Sequence, residues 1–199
     1  MWVKICGMTT PEALEAAVGA GADAVGFVFA ESVRRVSARR AAALAATVRG
    51  KVRCVAVTRH PGQDDVDEIL ALLRPDVLQS DAVDFGQLRL PQHLERLPVL
   101  RGACALQALP SRLLFEGAVS GVGRTCDWGA AAEVARHAEL VLAGGLDPDN
   151  VAAAIAAVRP FGVDVSSGVE AQPGVKDPQA VERFVKAARM GCAAVQEPT

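Results

Sequence analysis

Short apolar runs alternate along the whole chain with Ala-rich or amphipathic stretches. The runs at 2–6, 24–29, 52–57, 77–79, 99–102, 113–115, 140–143 and 162–165 are strand-sized and rich in Val and Leu. Between them, 11–20, 38–48, 64–73, 85–90, 129–135, 149–157 and 178–188 read as helices. Thr10-Pro11, Asp147-Pro148 and Asp177-Pro178 each set a capping side chain before a proline suited to a first helical turn. Strict strand and helix alternation predicts a parallel sheet covered by helices. Eight strands predict that the sheet closes into a (β/α)8 TIM barrel, whereas an open doubly wound sheet usually has fewer strands. The 199 residues sit at the floor of about 200 for such barrels, so one or more connecting helices should be short or missing. The expected place is after strand five, where the stretch 100–113 is short and broken by proline. No linker or repeat divides the chain, so 1–199 reads as one barrel domain.

The first run, "VKICG", is polar where a buried strand should be apolar. Period two puts Lys4 and Cys6 on one face and Val3 and Ile5 on the other. In a barrel, Val3 and Ile5 should meet the helices while Lys4 and Cys6 point inward. Cys6 then ends its strand at the mouth, where barrel enzymes keep their active sites. A buried ammonium needs a carboxylate, and Asp164 on strand eight, the neighbour of strand one, is the candidate partner. The ammonium should also draw the thiol below its ordinary pKa of about 8.5. Cys54, Cys104 and Cys192 lack that setting and read as small hydrophobes.

Other strand ends carry further candidates. After strand seven, Gly144 and Gly145 allow a close backbone approach to an anion, and after strand eight Ser166, Ser167 and Gly168 supply hydroxyls and N–H groups. Barrels often bind phosphate between these two loops. Asp127 fits either as an N-cap for the helix from 129 or as a carboxylic acid opposite the thiol. Arg34 and Arg35 follow strand two, where one of them could clamp a substrate carboxylate instead of remaining a solvated charge.

Composition narrows the function classes. Net charge is −2, aromatics are 4% with no Tyr, and no Lys/Arg block occurs, which argues against a nucleic-acid partner. No apolar run approaches the roughly 20 residues of a membrane helix, and no signal-peptide pattern precedes the first strand. The 5 cysteines are scattered with no CxxC or Cys/His cluster, so neither a disulfide framework nor a zinc site is expected and a reducing cytoplasm is the natural setting.

Taken together and in order, "VKICGMT", "GADAVGFVFAESVRRVS", "GVGRTCDW", "LAGGLDPDNV" and "RPFGVDVSSGVEAQPGVKDP" resemble the phosphoribosylanthranilate isomerase family of tryptophan biosynthesis. The resemblance covers nearly the whole chain. It implies a TIM barrel acting on phosphoribosylanthranilate, as a monomer or homodimer. It implies Cys6 as general base, Asp127 as general acid, Arg34 on the anthranilate carboxylate, and Asp164 with the loops after strands seven and eight at the phosphate end. It implies no metal and no organic cofactor, because the substrate's anilinic nitrogen is the electron sink. Departures lie mid-chain. Gln79-Ser80-Asp81-Ala82 stand where the family commonly has Gln-Leu-His-Gly, "VAVTRHPGQ" lacks a usual asparagine, and Glu116 ends strand six where aspartate is usual. As assigned, these leave the Cys6 and Asp127 pair untouched. A histidine-pathway ribotide isomerase is the nearest rival, but that family resembles a barrel with aspartate ending strand one, and only one phosphate site is evident. A catalytically weakened phosphosugar-binding barrel is the other.

Overall fold

Eight parallel strands pair in chain order and close on themselves: β1 (Trp2–Cys6), β2 (Ala24–Val28), β3 (Arg53–Val57), β4 (Val77–Asp81), β5 (Glu95–Arg101), β6 (Arg112–Glu116), β7 (Glu139–Leu142) and β8 (Gly162–Val165). This computed structural model describes residues 1–101, 109–117 and 126–196. The barrel closes where β1 pairs with β8, with Lys4 opposite Asp164. Among the described residues, six helices connect strands or follow them: α1 (Pro11–Gly19), α2 (Ala38–Ala46), α3 (Gln63–Leu72), α4 (Trp128–Ala135), α5 (Val151–Val158) and α6 (Pro178–Gln196). A small antiparallel hairpin, β9 (Glu170–Gln172) and β10 (Val175–Lys176), stands between β8 and α6.

Local chemistry explains most helix starts. The Thr10 hydroxyl accepts from Ala13 N at 3.2 Å and Pro11 opens α1, while Ser37 accepts from Arg40 N at 3.2 Å at the start of α2. Asp147 behaves differently from expectation. Its Oδ1 accepts from Asp149 N at 2.8 Å and Asn150 N at 2.9 Å, so Pro148 lies in a turn and α5 begins only at Val151.

Alternation divides each strand between two cores. Val3, Ile5, Val25, Phe27, Leu113, Phe115 and Val163 pack outward against the helices, whereas Ala24, Val55, Val77, Leu97, Val99, Leu114 and Val141 fill the barrel interior. The N-terminal end of the interior is crossed by a chain of ion pairs. Glu95 accepts from Arg53 and Arg112 at 2.6 Å each, Arg112 also reaches Glu139 at 2.6 Å, and its guanidinium lies 4.4 Å from the Phe161 ring.

The expected helix at 85–90 does not form. A 3-10 segment, Ala82–Gly86, connects β4 to the β5 side instead. Gly86 and Pro91 leave too few residues for a helix to propagate. Asp84 also holds the segment down, accepting from the Ser80 hydroxyl and from His60 N. A shortened connection is therefore found after β4. The shortening expected after strand five falls largely on 102–108, outside the described residues.

Candidate active site

The C-terminal ends of the strands enclose a cavity of about 330 Å³, lined among others by Cys6, Arg34, Gln79, Arg101, Glu116, Asp164, Ser166 and Ser167. Cys6 reaches it because the position facing it on β2 is Gly26. A Cβ built there would lie 2.9 Å from Cys6 Sγ and 3.1 Å from Lys4 Cε, so any larger residue would occupy the space of the thiol. One layer below, Lys4 is wholly buried and its Nζ donates to Asp164 Oδ1 at 2.8 Å, the partnership the sequence predicts. Burial alone would pull this lysine down, but Asp164 and Cys6 outweigh it and hold the ammonium above the ordinary lysine range.

The thiol departs from expectation. Burial pushes Cys6 up and Asp164 adds to that, while Lys4 and Lys176 pull it down without prevailing. Its pKa therefore stands above the ordinary cysteine value. Lys4 acts in the expected direction, yet its charge is largely answered by Asp164.

Arg34 extends from the loop after β2. Its Nε and Nη2 donate to Glu170 Oε1 and Oε2 at 2.7 and 2.8 Å, a two-pronged pair that leaves Nη1 for a ligand. Glu170 also accepts from Lys176 Nζ at 2.7 Å and from Gly174 N at 3.2 Å. Against the cost of burial, Arg34 and Lys176 hold the Glu170 carboxyl down at about 2. At the β7 and β8 ends, Gly144 and Gly145 have φ of 91° and 66°, which turn the backbone toward the cavity beside Ser166 and Ser167. Gly168 does not line the cavity. A Cβ on it would come within 2.0 Å of Leu146 O, so its role is to let the two loops meet.

Across the cavity, Arg101 bridges two carboxylates. It bonds to Asp81, and its Nη2 lies 2.7 Å from Glu116 Oε1. His60 Nε2 is 3.2 Å from the same Asp81, and its Nδ1 is 2.9 Å from Asp84. Gln79 Oε1 and Arg101 Nε are buried without a hydrogen-bond partner. Asp127, by contrast, is not brought to the cavity. It is exposed, and its Oδ1 accepts from Gly129 N at 2.9 Å and Ala130 N at 3.1 Å as the N-cap of α4. The capping alternative is the one the structure realises.

Set against known proteins, residues 3–187 match the family model for N-(5'phosphoribosyl)anthranilate (PRA) isomerase. The chain belongs to the phosphoribosylanthranilate isomerase family. It is 37% identical to N-(5'-phosphoribosyl)anthranilate isomerase of Rhizobium rhizogenes, over 96% of this chain and 95% of that one. It superposes on phosphoribosyl anthranilate isomerase from Thermotoga maritima with TM-score 0.82 at 31% identity, covering 96% and 99% of the two chains. A structure of such an isomerase in complex with reduced 1-(o-carboxyphenylamino)-1-deoxyribulose 5-phosphate matches with TM-score 0.79 at 30% identity, again covering 96% and 99%. Family membership thus accounts for the barrel and for the order of the motifs. Several cavity residues escaped the sequence reading. Arg101 could have been found by extending the period of two from Val99. The contact of Glu170 with Arg34 spans 136 positions and leaves no local pattern.

Proposed function

We propose that this chain catalyses the Amadori rearrangement of N-(5'-phosphoribosyl)anthranilate to 1-(o-carboxyphenylamino)-1-deoxyribulose 5-phosphate, with Cys6 as general base and Glu116 as general acid. The observation that carries this reading is the placement of a thiol, a carboxyl, an arginine and two phosphate-sized loops around one cavity, in a chain of this family. The substrate carries a phosphate at one end and a carboxylate at the other. The phosphate would sit between the Gly144-Gly145 and Ser166-Ser167 loops, and the anthranilate carboxylate would take the free Nη1 of Arg34.

Glu116, taking up a proton from solvent as the substrate binds, would then deliver it to the ribose ring oxygen as the C–O bond breaks, giving the iminium ion. Arg101 stabilises the carboxylate left behind, and Asp81 holds Arg101 in place. The iminium acidifies the C2 hydrogen, and its positive charge next to Cys6 favours the thiolate that removes it. The enolamine so formed tautomerises to the ketone. Gln79 Oε1 and Arg101 Nε, otherwise unpartnered, suit the ribose hydroxyls. Asp127 is not assigned the acid role, because its carboxylate is engaged in capping α4. Among the described residues no helix is long and apolar enough to cross a membrane, and the described cysteines are free thiols, in keeping with a cytoplasmic setting.

Steady-state conversion of phosphoribosylanthranilate by the purified protein tests the reading. Cys6→Ala should lower kcat by about 10²–10⁴ while a phosphate-bearing product analogue still binds. Background turnover by the folded wild-type protein would overturn the activity, and wild-type rates in Cys6→Ala would remove the base.

A further inference from the structure

We propose that Lys176 is a positioning residue for proton abstraction, a buried ammonium that couples the Arg34 loop to the Cys6 strand end and adds to the positive surroundings of the thiolate. The proposal rests on the reading of Cys6 as the base. The Lys176 side chain is fully buried on the hairpin after β8 and stands at a junction of two chains of contacts. On one side its Nζ donates to Ser166 O at 2.9 Å and approaches Ser166 Oγ at 3.4 Å, and that hydroxyl donates to the Cys6 carbonyl at 3.2 Å. On the other side Nζ donates to Glu170, the carboxylate that grips Arg34 with both oxygens.

The charges that face Cys6 can be counted by element. From its own strand comes Lys4, from β8 Asp164, from the hairpin Lys176, and from the loop after β2 Arg34, while β2 itself offers only Gly26. Lys4 and Asp164, in direct contact at 2.8 Å, act in opposite directions on the thiol, and Asp164 offsets much of the lysine's pull. Arg34, Glu170 and Lys176 do not cancel, because two cations share one carboxylate. This trio therefore adds a net positive charge to the one that Lys4 brings to the thiol. Lys176 is its member with no remaining surface for substrate, being wholly enclosed. Its buried position also pulls it below the ordinary lysine range, with Glu170 opposing that pull.

The test is the pH dependence of Cys6 alkylation by iodoacetamide, followed at the Cys6 peptide by mass spectrometry so that the other cysteines do not contribute. Lys176→Met should move the alkylation midpoint up by about one pH unit, so that Cys6 reacts about tenfold more slowly at a fixed pH below it. Lys176→Arg should return it close to wild type. Glu170→Gln removes the only anion of the trio and should move the midpoint down, and this variant decides the matter if Lys176→Met fails to fold. A midpoint unmoved in folded Lys176→Met, or moved upward in Glu170→Gln, would overturn the proposal. Turnover by Cys6→Ala, measured alongside, reports on the base assignment separately, since alkylation needs no substrate.

Discussion

Gly26 decides at the level of single atoms whether the barrel has room for a base. The side chains of Lys4 and Cys6 occupy the volume that a β-carbon at 26 would need, and Cys6 Cα lies only 3.3 Å from that point. Backbone cannot give way cheaply, so Gly26→Ala should displace the thiol itself. We expect kcat to fall by about 10²-fold with a stability loss of only about 1–3 kcal/mol, checked by kinetics and thermal unfolding of the same preparation. Unchanged kcat would mean that the thiol is not held where Gly26 puts it. Cys6, Lys4 and Asp164 were legible in the sequence because alternation sets the face of each residue and closure of an eight-stranded barrel makes β1 and β8 neighbours, although Lys4 and Asp164 lie 160 positions apart. The net effect on the thiol was not legible. It depends first on burial, and besides the lysine two residues earlier also on Asp164 and on Lys176, 170 positions away in the chain.

At the scale of elements, the loops after β7 and β8 act as one unit. Gly168 in the short 3-10 segment Ser167–Val169 lies against the Leu146 carbonyl, so the second loop can approach only without a side chain there. Gly168→Ala should push the loops apart, weaken binding of a phosphate-bearing ligand by about tenfold or more and lower stability by about 1–3 kcal/mol. Calorimetric titration with the product analogue reads the first effect, and wild-type affinity would show that the loops do not cooperate. Elements with clear caps, such as α1 and α2, were readable, and so were strands with continuous apolar runs. β5 was only half visible. Its inward positions, Glu95 and Arg101, are charged at both ends of the barrel, and Pro98 interrupts the outward face, so only its C-terminal part looked like a strand. The 85–90 stretch failed as a helix for a nonlocal reason too, since Asp84 is held by Ser80 and His60.

The molecule as a whole divides stability from chemistry between its two ends. At the N-terminal end, Arg53, Glu95, Arg112 and Glu139 tie four strands together. Burial would raise the Glu95 carboxyl, but its two arginines hold it below the ordinary range. A depressed folded pKa gives stability that is present above the unfolded value of about 4.3 and drains as pH falls through the lower folded one. Glu95→Gln should therefore cost about 1 kcal/mol near neutral pH, flatten the acid limb of stability below about pH 4, and leave kcat and KM unchanged. A loss of kcat in this variant would contradict the division. At the other end, the proposed base on β1 and the proposed acid on β6 line one cavity. Sequence resemblance placed the acid at Asp127, whereas the fold spends that carboxylate on a helix cap and brings Glu116 to the mouth. The most direct test compares kcat of Glu116→Gln with that of Asp127→Ala under saturating phosphoribosylanthranilate. For Glu116→Gln, kcat should fall by about 10²–10⁴, with Asp127→Ala keeping near wild-type kcat and losing only about 1 kcal/mol of stability. The reverse pattern, with Glu116→Gln active and Asp127→Ala inert though folded, would contradict the assignment of the acid to Glu116.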